Sequence, residues 1–162
     1  MDLVRKYKLF YALMNVGFVG NILIIYYLTK GFNYAQIGIA TAVMTAGYVL
    51  FEVPTGVVAD KISRKLSVLI GLTIHALGLL VLILLNNFPL LILYSILTAL
   101  GGTFASGSLQ AWLYDNLKHL GREKEFRKLM KEIKTITIPL SATTVIIGGF
   151  LAQYYGFTLP LA

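Results

Sequence analysis

The sequence predicts an all-α integral membrane protein with about five transmembrane helices. Three observations lead there. Charged residues make up 13% of the 162 residues and apolar residues 57%, whereas soluble domains carry about a quarter charged and about 45–50% apolar residues. The apolar residues gather in long uncharged runs rather than recurring at a helical or strand period. Thirteen of the fourteen Lys and Arg residues fall in alternate gaps between those runs. A hydrocarbon core about 30 Å thick needs roughly 20 apolar residues per helix, because each backbone N–H and C=O must be satisfied inside the segment.

The first run, Leu9 to Leu28, has no charge. Basic residues precede it as in a signal peptide, but its length and the lack of a small-x-small cleavage site mark it as a retained helix. The second, Tyr34 to Val58, is interrupted by Glu52 alone, and the third, Leu66 to Leu85, carries His75 near its middle. Asn86, Asn87 and Pro89 mark a tight turn into the fourth, Phe88 to Tyr114. Between Asp115 and Lys134 the chain is charged, with Leu117, Leu120, Phe126, Leu129 and Ile133 near helical spacing. This segment is expected to lie along the membrane surface or to form a solvated connector. The fifth run is Thr135 to Tyr155, and the residues from Gly156 to Ala162 are too few for a sixth.

The basic residues set the orientation. Arg5, Lys6 and Lys8 precede the first run, Lys61, Arg64 and Lys65 separate the second from the third, and seven more lie from Lys118 to Lys134. Lys30 alone falls on the other side. The chain is expected in the plasma membrane, and the positive-inside rule predicts a cytoplasmic N-terminus and, after five spans, an external C-terminus. The net charge of +7 is accounted for by topology, so nucleic acid is not expected as a partner. With no cysteine, no metal-ligand cluster, no nucleophile constellation and no phosphate loop in the sequence, neither an enzyme, a metal site nor a bound cofactor is expected.

Between the second and third runs stands Gly56-Val-Val-Ala-Asp60-Lys61-Ile-Ser63-Arg64-Lys65. It resembles the signature loop of the major facilitator superfamily: a Gly, three residues, Asp, a basic residue, any residue, Gly, then two basic residues, between helices two and three. Ser63 stands where the family usually has Gly, and can N-cap the third helix instead. Gly31-Phe-Asn33-Tyr-Ala-Gln36-Ile-Gly38 is similar to the family's external turn into helix two, with Asn33 as the N-cap. Glu52-Val-Pro54-Thr-Gly56 is similar to its run into the signature loop. Asp115 and Arg122 are similar to the acidic–basic pair that often follows helix four.

The resemblance implies helices one to five of a twelve-helix transporter. It also implies that Gly56, Asp60, Lys61, Arg64 and Lys65 belong to a cytoplasmic gate tying two halves together when the outer side is open. The physics of the loop stands apart from the resemblance. Asp60 falls at the C-terminal end of helix two, where the helix dipole disfavours a carboxylate, so its charge needs an offsetting partner.

Other polar residues are candidates for a proton or substrate path. Intramembrane carboxylates are costly and usually face a cavity or partner. Glu52 is thus either on a proton path or a neutral or paired group fastening helices together. His75 is either an interhelical hydrogen-bonding group or a proton relay. Asn15 and Asn21, with Gly17 and Gly20, are echoed by Gln110 near Gly101, Gly102 and Gly107, and interrupted helices at matching positions mark substrate paths. Small residues are expected at helix contacts: Gly71 and Gly78; Ala99, Gly102 and Ser106; Gly148 and Ala152.

The implied function is secondary transport of a small solute, with a coupling ion that could be a proton and a complementary C-terminal half or additional chain completing the path. The alternatives are a non-transporting membrane assembly module and a homo-oligomeric pore.

Overall fold

A computed structural model describes residues 3–14, 16–18 and 20–157 of the chain, without the side chains of Leu3 and Asn21. Among the described residues every regular element is helical. They are α1 (Leu3–Met14), a 3-10 turn (Gly20–Ile22), α2 (Leu23–Thr29), α3 (Tyr34–Lys61), α4 (Arg64–Ile83), α5 (Phe88–His119), a second 3-10 turn (Glu123–Glu125) and α6 (Phe126–Tyr155). Four helical segments are long and apolar enough to cross a membrane: Tyr34–Lys61, Arg64–Ile83, Phe88–His119 and Glu123–Tyr155.

Local chemistry sets several of these boundaries. The Asn33 side chain accepts from the Gln36 N–H at 2.9 Å while the Gln36 side chain accepts from the Asn33 N–H at 3.0 Å, a reciprocal capping box that starts α3. The Ser63 hydroxyl accepts from the Leu66 N–H at 3.0 Å and starts α4. The Asn87 side chain accepts from the Leu90 N–H at 3.0 Å at the start of α5. Each cap satisfies an N–H that the helix cannot pair internally.

Two segments differ from the sequence expectation, each for a physical reason. The run Leu9 to Leu28 is not one helix. α1 starts earlier and stops at Met14, residues 16–18 are non-helical, and the helix resumes at Leu23 after a 3-10 turn. Gly17 and Gly20 cost a helix roughly 1 kcal/mol each relative to Ala, a penalty that hydropathy does not register. Tertiary packing adds to it, because a Cβ on Gly148 of α6 would collide with the Phe18 carbonyl oxygen. The non-helical stretch therefore lies directly on the backbone of α6.

The second difference is Asp115 to Lys134, which forms no separate surface segment. α5 continues to His119, Gly121 turns the chain at φ 68°, and α6 runs from Phe126 to Tyr155 with Pro139 inside it. Leu117, Leu129 and Ile133 are buried, so the apolar spacing in this stretch packs helix against helix.

The chain divides into two compact units, Met1–Tyr26 with Leu113–Ala162, and Tyr27–Trp112. In the first, α1 packs on α6, and Lys8 on α1 meets Glu132 on α6 at 2.6 Å. In the second, α4 and α5 touch backbone to backbone. A Cβ on Gly71 would lie 2.7 Å from the Gly101 carbonyl oxygen and 2.8 Å from the Ala105 nitrogen. Buried Ser67 donates to the Phe104 carbonyl at 3.2 Å and accepts from Ser108 at 2.8 Å. Small residues without a hydrophobic driving force thus hold this seam by close approach and hydrogen bonding.

Candidate functional site: a charged helix junction and a polar helix face

Two residues, Ile62 and Ser63, join α3 to α4. α3 keeps its hydrogen-bond ladder to the end, with the Ile62 N–H donating to the Val58 carbonyl at 3.0 Å. Ser63 has φ −176° and ψ 139°, ordinary extended backbone that any residue adopts. The turn therefore does not require glycine, and the serine hydroxyl contributes a cap that glycine lacks.

Asp60 and Arg64 face each other across this turn at 3.5 Å, the carboxylate side chain 70% exposed and the guanidinium 30%. Both charges oppose a helix dipole. Asp60 stands at the negative end of α3 and Arg64 at the positive start of α4, each disfavoured there by roughly 0.3–1 kcal/mol. The exposed pair regains about the same amount. Lys61 and Lys65 are exposed beside it. Gly56, one turn before Asp60, is exposed, and a Cβ there would meet nothing within 4 Å.

Above the junction, α3 carries Thr41, Thr45, Tyr48, Glu52 and Gly56 along one exposed side. Its buried side carries Ile37, Ala40, Gly47, Thr55 and Ala59. Glu52 lies eight residues before Asp60, about 12 Å along the axis. Among the described residues no hydrogen bond or ion pair engages its carboxylate. Tyr48 packs over Gly102 of α5, where a Cβ would lie 2.7 Å from the ring.

The other predicted site residues are spread over the fold. Gln110 is exposed on α5 beside exposed Ser106 and Gly107. His75 is exposed on α4, its backbone against Gly101, with no side-chain hydrogen bond among the described residues. Asn21 sits in the 3-10 turn, with its side chain outside the described residues, and Asn15 lies outside them altogether. Asp115 is on the last turns of α5, and Arg122 forks onto Glu125 with two bonds of 2.8 and 2.9 Å.

The matching order of loop, turn and helices is met by a family model: that of the Major Facilitator Superfamily matches residues 9–162. The chain belongs to the major facilitator superfamily. It is 28% identical over 139 residues to the uncharacterized MFS-type transporter YxaM of Bacillus subtilis (strain 168), covering 86% of this chain and 33% of that one. It is 29% identical over 102 residues to the uncharacterized MFS-type transporter YdeE of Escherichia coli (strain K12), covering 62% of this chain and 26% of that one. The chain thus spans about a third or less of these curated relatives. In this superfamily member, the α3–α4 junction brings Asp60 and Arg64 together.

Sequence reasoning missed the Lys8–Glu132 pair and the seat of Tyr48 on Gly102. The small residue at Gly102 was a legible sign of a close contact, but nothing local named its partner. For Lys8 and Glu132, 124 positions apart, there was no signal at all.

Proposed function

We propose that this chain supplies N-terminal helices of a secondary active transporter, which moves a small solute across the plasma membrane by alternating access. A complementing set of helices supplies the facing wall of the path. The observation that carries this reading is the Asp60–Arg64 pair. Two charges, each set against a helix dipole and joined by an exposed contact of 3.5 Å, are poised to exchange partners with a moving element. A junction serving only topology would need the basic residues and not the carboxylate. Membership of the superfamily supports transport, and the orientation follows from the basic loops.

Glu52 and Gln110 are assigned to the path. An exposed, unpaired carboxylate within a spanning helix is tolerable only against water or protein, not lipid. The polar side of α3 is therefore the side that the path or the complementing helices cover. Bare Gly56 on the same side leaves room for close approach of another backbone.

The test is cysteine accessibility from both sides of the membrane in a transporter completed by a complementing half, wild type against Asp60→Asn. The substitution keeps the shape and removes the charge. Loss of outward-open accessibility and slowed transport, with normal insertion, is the expected result, since a mutation shifts a two-state equilibrium only by acting differently on the two states. Unchanged accessibility with normal transport would show that the pair is not a gate. This chain alone in liposomes is expected to give no saturable uptake, and saturable uptake would favour a homo-oligomeric pore.

A further inference from the structure

The charged extension of α6 carries an open groove of about 430 Å³, lined by the cations Arg127, Lys131 and Lys134 and by Met130, Thr135 and Ile138. Phe126 also borders it, fixed edge-on to Tyr114 with ring centroids 5.5 Å apart. The three cations follow each other at spacings of four and three, which places them together on one side of the helix, where like charges repel. Among the described residues no acid pairs with them. Glu132 is turned to Lys8, and Glu125 is held by Arg122. Among the described residues no ion pair or hydrogen bond engages the side chains of Arg127, Lys131 or Lys134, in contrast to Lys8, Arg64 and Arg122. The groove thus collects positive charge that the described residues leave unpaired.

Its position selects the anion. The cations end at Lys134, and the apolar stretch of α6 starts at Thr135, so the charged part of the groove stands at the hydrocarbon boundary. Lipid phosphates occupy that level. Met130 and Ile138 give the same groove an apolar wall, and Ile138 continues it past the boundary. A soluble anion would match the cations alone, whereas a phospholipid matches both parts.

We infer that this groove binds an anionic phospholipid, its phosphate against Arg127, Lys131 and Lys134 and an acyl chain along Met130 and Ile138. Basic residues near a membrane surface each favour anionic lipid by a factor of roughly five. Three of them on one site therefore support a clear preference over a zwitterionic lipid.

The test uses the whole chain in detergent, with phosphatidylglycerol or phosphatidylcholine added and bound lipid counted by native mass spectrometry. Wild type is expected to retain phosphatidylglycerol on the order of a hundredfold more than phosphatidylcholine. The combined Arg127→Gln, Lys131→Gln and Lys134→Gln variant should lose the preference. Lys124→Gln with Lys128→Gln removes charge from the same segment outside the groove and should keep it. Salt at about 1 M, where the screening length falls to about 3 Å, should erase the preference of wild type with no mutation. That arm, with Lys131→Gln alone lowering the preference several-fold, decides the matter if circular dichroism shows the triple variant to be misfolded. Equal retention of both lipids by wild type, or an unchanged preference in a folded triple variant, would overturn the inference. So would displacement of phosphatidylglycerol by millimolar inorganic phosphate, which would make this a site for a soluble anion.

Discussion

Lys8 on α1 and Glu132 on α6 are 124 residues apart in the chain and form an ion pair of 2.6 Å. Both side chains are partly exposed, so the pair adds little to stability and acts by fixing how α1 meets α6. It stands on the charged extension of α6, before the apolar stretch begins at Thr135.

Donation from the Lys8 ammonium holds the Glu132 carboxyl below its ordinary value of 4.5. A depressed carboxyl contributes its stability above the ordinary value and loses it as pH falls through the lowered one. Cross-linking between cysteines introduced on facing turns of α1 and α6 should therefore be unchanged from pH 8 to about pH 5 and fall only in stronger acid. Lys8→Met should flatten that acid step. The chain has no native cysteine to interfere. A wild-type loss of cross-linking centred near neutrality would point to another titrating group.

Gly71 and Gly107 should respond oppositely to the same change. A Cβ on Gly71 meets the backbone of α5, which cannot move aside as a side chain can, while a Cβ on Gly107 meets nothing within 4 Å. Gly71→Ala is expected to destabilise by about 1–3 kcal/mol. Gly107→Ala should be neutral or stabilising by up to about 1 kcal/mol, through helix propensity. Thermal unfolding in detergent measures both, and an equal effect of the two would contradict the α4–α5 seam.

Ser63→Ala is expected to cost about 0.5–2 kcal/mol by removing the cap on the Leu66 N–H, and Ser63→Asp to retain most of it. Ser63→Gly restores the usual signature residue and should cost only a few tenths of a kcal/mol. Stabilisation by glycine in the same unfolding assay would mean that the turn is strained, contrary to its extended backbone.

A phosphatase reporter, active only outside the cytoplasm, should be active when inserted after Gly31 and inactive after Gly121. The basis is the crowding of basic residues in the loops on one side of the spans, with Lys30 alone on the other. The reverse pattern would invert the proposed orientation, and activity at both sites would change the number of crossings.

The parts legible in the sequence were those decided by neighbours. The apolar runs marked α3, α4 and α5 because hydropathy is a local sum. Asn33 and Ser63 announced their caps because a cap spans three residues. At the candidate site, the need of Asp60 for a basic partner was legible from its place at a helix end, but which of Lys61, Arg64 and Lys65 meets it was not. The break after Met14 was signalled only in part by Gly17 and Gly20, since unbroken hydropathy masked the low helix propensity. Its other cause, the Phe18 carbonyl lying on Gly148, belongs to a distant element. Lys8 and Glu132 were invisible for the same reason.

The length of α6 has a consequence of its own. Thirty residues extend about 45 Å, well beyond a hydrocarbon layer of about 30 Å, and the helix passes from charged to apolar sequence without a break. The water–lipid boundary is thus set by side-chain chemistry along a continuous rod and not by the end of a hydrogen-bond ladder. A thicker or thinner bilayer can be met by tilt or by a small axial shift that does not carry the end of the helix into lipid. The same protein can therefore tolerate membranes whose thickness changes with composition or temperature.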